Sequence, residues 1–192
     1  MVFQEYNAVK KDSIQRPFIN ILPNDGIYKF LEENYTPVFE FPFSKYAAMY
    51  FVRDRRVRQS ESELSNFSPT APQYPLLLVN ERYEQTCIEV ESLIMMYMCD
   101  LPIQGNPTSL LDCLVQHIKQ SDEVLEICYC FLMKQTTANM KQVSEERGWG
   151  LFNYILSVKL PPRNLYTYVL YFICKSLFSS EVQVESSLLV HD

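Results

Sequence analysis

Large apolar residues recur at helical steps in six stretches of the chain, and polar runs with capping residues separate them. In FSKYAAMYF, Phe43, Ala47, Tyr50 and Phe51 share one stripe, with Ser44 as the candidate N-cap. Glu81 to Asp100 reads as a helix, with Cys87, Val90, Ile94, Tyr97 and the following Leu101 on one stripe at steps of three and four. Asn106-Pro107 opens the next helix, Asn as cap and Pro at the first helical position, and Leu110, Leu111, Leu114, Val115 and Ile118 form its buried face. Ser121-Asp122-Glu123 caps a further helix and places carboxylates where its dipole favours them; Val124, Ile127, Cys128, Phe131 and Leu132 follow. Ser144-Glu145-Glu146 repeats the device ahead of Trp149, Phe152, Ile155 and Leu156. Pro161-Pro162 closes that helix, and Leu165, Tyr168, Val169, Phe172 and Ile173 form the last strong stripe. Short connections between successive helices predict antiparallel neighbours, hence an all-α fold: a compact multi-helix bundle or a short helical solenoid.

The remaining segments read differently. Prolines at 17, 23, 37 and 42 make residues 1–42 an irregular arm, with a turn at Asn24-Asp25-Gly26 and two helical turns over Ile27 to Glu33. Phe18, Ile19, Ile21, Leu22, Phe39 and Phe41 predict that part of this arm packs on the body. Residues 59–73 are polar and Pro-rich, a mobile loop by composition, after which Pro75-Leu76-Leu77-Leu78 rejoins the core. The helical domain thus spans 43–178, and 179–192 is a flexible, acidic, Ser-rich tail.

Composition narrows the function classes. The 192 residues permit one domain with a large core, and 47% hydrophobic with 21% charged is ordinary for a globular chain. Four glycines leave no room for a Gly-rich phosphate loop, and a net charge of −6 excludes a chain-wide nucleic-acid binder. Five of the six cysteines fall inside apolar helical patterns, where a free thiol acts as a small buried hydrophobe. With no leader-like apolar segment and no stretch long enough to span a bilayer, the expectation is a cytoplasmic protein with reduced thiols.

No catalytic, cofactor or metal set stands out. Cys128 and Cys130 are two apart on a helix and point about 200° apart, so they cannot share an ion. Cys113 and His117 have i,i+4 spacing, the one pair that would serve a Cys–His hydrolase, but no third group in sequence orients them. Glu145-Glu146 and Glu32-Glu33 are adjacent and do not face each other. Trp149, the only tryptophan, opens an apolar stripe after a glycine and reads as a core anchor. The surface candidate is Arg53, Arg55, Arg56 and Arg58, four arginines with one aspartate in six positions. On a helix continued past Phe51, Arg55 and Arg58 share a face and suit an acidic partner.

Several separated patches, in matching order, resemble the myosin tail homology 4 (MyTH4) domain. Phe43 to Phe51 resembles its opening helix, Pro75-Leu76-Leu77 its PLL entry, and Ile94 to Asp100 its I-x-x-F-M-G-D helix end. Glu126 to Thr137 is similar to D-E-I-Y-C-Q-L-x-K-Q-T-T, which includes Lys134, Gln135, Thr136 and Thr137. Arg147-Gly148-Trp149 matches its R-G-W, and Pro161-Pro162 onward resembles its closing helix. The resemblance spans about residues 43–175 and is nearest to class VII and class XV unconventional myosin tails. Cys99 replaces the family's Gly and Phe131 its Gln, which makes that helix surface more apolar. A FERM domain normally follows in the family, and none fits in the 19 residues after Ile173; a motor head is also missing. The resemblance implies a non-catalytic interaction module without a cofactor, binding microtubules or an acidic cargo segment, with KQTT and RGW in structural roles. A regulatory module of a Rho GTPase-activating or kinesin-like protein is the alternative, and the Cys113–His117 hydrolase a remote third.

Overall fold

The computed structural model describes residues 41–53, 60–103 and 106–188. The arm before Phe41, three of the arginines (Arg55, Arg56 and Arg58) and residues 189–192 lie outside them. The all-α expectation holds. Seven helices occur among the described residues: α1 Phe43–Tyr50, α2 Glu61–Ser65, α3 Glu81–Tyr97, α4 Pro107–Ile118, α5 Asp122–Thr136, α6 Gln142–Val158 and α7 Arg163–Leu188. The only extended pairing among them is an isolated antiparallel bridge between Phe51 and Leu77.

The side-chain caps fall where short polar residues precede apolar stripes. Asn80, Asn106 and Ser121 accept the backbone N–H of Arg82, Thr108 and Glu123, filling donors that the first helical turn leaves open. Elsewhere the structure departs from the sequence reading. Pro42 rather than Ser44 precedes α1, with no side-chain cap. That helix stops at Tyr50 and does not run on into the arginines. Phe51 turns extended (φ −71°, ψ 138°) and buried, and the Val52 N–H donates to the Leu76 carbonyl at 2.9 Å. Burial of Phe51 opposite Leu77 outweighs continuation of the helix. Residues 59–73 read as a loop, yet they hold α2, fixed by a capping box between Ser60 and Glu63. The last helix continues past residue 178 to Leu188, since no Gly or Pro occurs after Pro162 to end it.

Helix α5 is the axle. Every residue from Val124 to Thr136 except Glu126 is buried, and α5 touches α2, α3, α4, α6 and α7. A helix apolar all round has no free face. Phe131, read as enlarging an apolar surface, is therefore core.

Around α5 the aromatic side chains form a chain of contacts. Phe51 meets Phe43 at 5.6 Å, Phe43 meets Phe172 at 5.8 Å, and Trp149 stacks on Phe172 at 5.5 Å and 16°. Trp149 also meets Phe152 at 5.7 Å, and Phe152 meets Tyr129 at 5.7 Å. This ties α1, α7, α6 and α5 to one another, each ring pair adding about 0.5–1.5 kcal/mol beyond its burial. Gly148 allows the approach: a Cβ there would lie 2.7 Å from Met98 Cε and 2.7 Å from Thr136 Cγ2.

Trp149, 5% exposed, is accordingly expected to act as core. Trp149→Ala should cost roughly 3–5 kcal/mol, a large part of a domain's usual stability. Chemical denaturation checks this; a variant that unfolds at the wild-type midpoint would remove the ring from the core account.

Candidate functional site

A helix ends in carbonyls that lack intrahelical donors and carry partial negative charge. In four successive helices a basic side chain meets this need. Arg53 Nη2 donates to the Ala48 carbonyl of α1 at 2.6 Å. Lys134 Nζ donates to the carbonyls of Leu64 and Asn66 at the end of α2, both at 2.7 Å, and to that of Glu63 at 3.4 Å. Arg147 Nη1 donates to the Tyr97 carbonyl of α3 and to Cys99 Sγ, both at 3.0 Å. Lys159 Nζ donates to the Ile118 carbonyl of α4 at 3.3 Å and pairs with Asp122 at 3.0 Å.

The KQTT motif divides between two tasks. Lys134 and Gln135 reach outward: the Gln135 amide donates to the Ser68 carbonyl at 3.1 Å and accepts the Ser68 N–H at 3.3 Å. Thr136 and Thr137 turn back, their hydroxyls donating to the carbonyls of Leu132 (2.8 Å) and Met133 (2.6 Å) of α5 itself. The Thr137 carbonyl accepts the Phe67 N–H at 2.9 Å, so the segment after α2 is sewn along the end of α5.

Lys134 also lines a cleft of about 320 Å³ with Phe51, Leu64, Tyr74, Glu91 and Phe131. Glu91 is 1% exposed and accepts the Leu76 N–H at 2.7 Å. Burial pushes its carboxyl up from the usual 4.5 to about 8, against the opposing pull of the Leu76 amide and Lys134. Burial likewise lowers the Lys134 ammonium from 10.5 to about 8, against the pull of Glu91.

Arg147, Gly148 and Trp149 lie on one turn of α6 and serve three packing needs: closure of α3, close helix approach, and the aromatic chain. The end of α3 is a left-handed C-cap. Cys99 has φ 63°, its N–H donates to the Met96 carbonyl, and the Asp100 N–H donates to the Met95 carbonyl. Asp100 then takes Lys141 at 3.0 Å and the Ser144 hydroxyl at 2.7 Å. Ser144, read as a helix-start residue, is buried inside α6 and also accepts the Asn139 amide at 2.8 Å. Pro161 is buried, and the Pro162 carbonyl accepts the first N–H groups of α7 from Leu165 and Tyr166.

Of the four arginines, Arg53 alone falls among the described residues, and it is exposed. Beside it Met49 (51%), Tyr50 (54%) and Leu78 (91%) are also exposed. The bridge of Phe51 to Leu77 brings the stretch holding Leu78 beside the end of α1.

Cys113 and His117 do meet, Sγ to Nε2 at 3.4 Å, and Glu89 of α3 reaches the same Nε2 at 3.5 Å. Gln120 lies 3.3 Å from Nδ1. Burial and the Glu89 carboxylate push the Cys113 thiol up, opposite to what a nucleophile needs. Burial does the same to Cys87, Cys128, Cys130 and Cys174.

The family model for the MyTH4 domain matches residues 108–189. Unconventional myosin heavy chain 6 of Caenorhabditis elegans is 35% identical over 101 residues, which is 50% of this chain and 5% of that protein. The fold resembles the MyTH4-FERM MF1 domain of Dictyostelium discoideum myosin VII (TM-score 0.62, 19% identity, 72% of this chain and 28% of that one). It also resembles the C-terminal MyTH4-FERM domain of human myosin 7b, solved in complex with the harmonin-a PDZ3 domain (TM-score 0.55, 23% identity, 74% and 31%). The chain thus spans a small part of each.

The buried carboxyl makes a prediction. Its folded value lies above its unfolded one, so Glu91 contributes stability that is fully present below about pH 4.5 and lost as pH rises through about 8. Glu91→Gln keeps an oxygen for the Leu76 amide and has no proton to lose. Between about pH 5 and 8 the wild-type melting temperature should fall relative to that of the variant. Parallel curves would show that Glu91 titrates as if exposed.

Proposed function

We propose that this chain, whose residues 108–189 match the MyTH4 domain model, is a non-catalytic protein-interaction module of an unconventional-myosin-type tail, docking cytoskeletal or cargo partners. The C. elegans myosin and the myosin 7b complex with a PDZ domain support this class of role. The observation that carries it is the surface where α1 ends. Arg53, Met49, Tyr50 and Leu78 are exposed together there, and Arg55, Arg56 and Arg58 follow in sequence. Aromatic and apolar groups beside arginines are the composition of interface centres, and guanidinium groups pair bidentately with carboxylates. The partner we propose is therefore an acidic segment with an apolar anchor, either a tubulin tail or an acidic cargo peptide. Such a partner would be met in the cytoplasm, at the cytoskeleton. No helix among the described residues is long and apolar enough to cross a membrane. The net charge of −6 opposes such a partner at long range, so affinity is modest and falls with salt as screening shortens to about 8 Å. The raised Cys113 thiol speaks against the hydrolase reading.

Replacing Arg53, Arg55, Arg56 and Arg58 by Glu should abolish co-sedimentation with microtubules, or pull-down of an acidic cargo peptide, while the melting temperature falls only slightly for loss of the α1 closure. Tyr50→Ala with Leu78→Ala should weaken the same binding. A Glu variant that keeps every wild-type partner would remove this surface from the account.

A further inference from the structure

The cluster of Glu89, Cys113 and His117 has no part in that docking surface, and its geometry is specific. Cys113 and His117 stand one turn apart on α4, at the edge of the buried stripe of Leu110, Leu114 and Ile118. Glu89 comes from the facing side of α3, which packs on α4. Their donor atoms all lie within 4.8 Å of one another. The Cys113 Sγ to His117 Nε2 distance is 3.4 Å and the Nε2 to Glu89 Oε2 distance is 3.5 Å. A tetrahedral zinc ion with Zn–S of about 2.3 Å and Zn–N or Zn–O of about 2.0–2.2 Å puts sulfur and nitrogen about 3.5 Å apart, and nitrogen and oxygen about 3.4 Å apart. The two edges fit that figure without moving a helix.

From this we propose that Glu89, Cys113 and His117 form a three-ligand zinc site that clamps α3 to α4. The set mixes a thiol, an imidazole and a carboxylate, the donors borderline-soft zinc takes, and leaves a fourth position for water. Cys113 and His117 are half-buried and Glu89 is exposed, so an ion reaches the site from solvent. On binding, the Cys113 thiol gives its proton to solvent and the sulfur binds as thiolate. His117 binds through Nε2, which leaves Nδ1 carrying its hydrogen. The Gln120 side chain, 3.3 Å away, accepts that hydrogen once its amide is turned to present oxygen, and so holds the ring for the metal.

Cobalt(II) makes the thiolate visible. The full chain, stripped with chelator and kept reduced by a phosphine, is titrated with Co²⁺. One equivalent should give a near-ultraviolet sulfur-to-cobalt band with visible tetrahedral bands, and one equivalent of Zn²⁺ should bleach both. Cys113→Ser should remove the sulfur band, and His117→Ala should weaken cobalt binding at least tenfold. Glu89→Gln, at an exposed position that leaves the fold intact, should weaken it several-fold and make the rise in melting temperature with Zn²⁺ smaller than that of the wild type. Cys99→Ala, at an exposed thiol outside the cluster, should leave the spectrum unchanged. The site is wrong if no sulfur band develops at one equivalent of Co²⁺, if the band survives Cys113→Ser, or if Zn²⁺ raises the melting temperature of Glu89→Gln as much as that of the wild type.

Discussion

The Lys134 ammonium sits among backbone carbonyls from which water is largely excluded, and much of the molecule is arranged to keep it satisfied. A charge in that position is tolerated only if acceptors replace its hydration. The carbonyls at the end of α2 supply them, and they lie some seventy residues earlier in the chain. The bond therefore does two things at once. It closes a five-residue helix too short to persist alone, and it fixes the stretch from Glu63 to Asn66 against α5. Glu91 beneath, with the Leu76 amide on it, belongs to the same arrangement. So does the extended exit of α1, because Val52 is held by the Leu76 carbonyl. The surface that carries Arg53, Tyr50 and Leu78 is thus positioned from below by a buried lysine.

The same device recurs around the bundle. Arg147 closes α3 and Lys159 closes α4, so cations from later helices finish earlier ones. Each adds a directional constraint to the packing around α5, where dispersion and burial alone would allow neighbouring helices to slide. The aromatic chain from Phe51 to Tyr129 fills the space between these fixed points.

The stripes that make α3, α4 and α5 were legible because a 3.6-residue period repeats over three or more turns and a short polar residue precedes each. The ends of α1 and α6 were not. The first is set by a bridge to Leu77, and the second by Ser144 turning inward to Asp100. One signal was present and unread: Ser60 and Glu63 have capping-box spacing, which marks α2 inside a stretch whose composition says loop. The outward reach of Lys134 and Gln135, and the approach of Glu89 to Cys113 and His117, join residues far apart in sequence, and no local pattern carries them. Cys99 illustrates a subtler limit. A cysteine where the MyTH4 pattern it resembles has glycine reads as a change of surface, while the structure uses it at φ 63° as the left-handed cap of α3.

Amide hydrogen exchange on Lys134→Met, compared with wild type, tests the dependence on this one charge most directly. Methionine fills similar space but donates nothing, leaving the α2 carbonyls unmet at a cost of about 1–3 kcal/mol. The amides of Val52, Phe67, Ser68 and Leu76 should lose protection together, while Ile127 and Leu156 in the cores of α5 and α6 keep theirs. Unchanged protection at those four amides in a folded Lys134→Met protein would contradict the account.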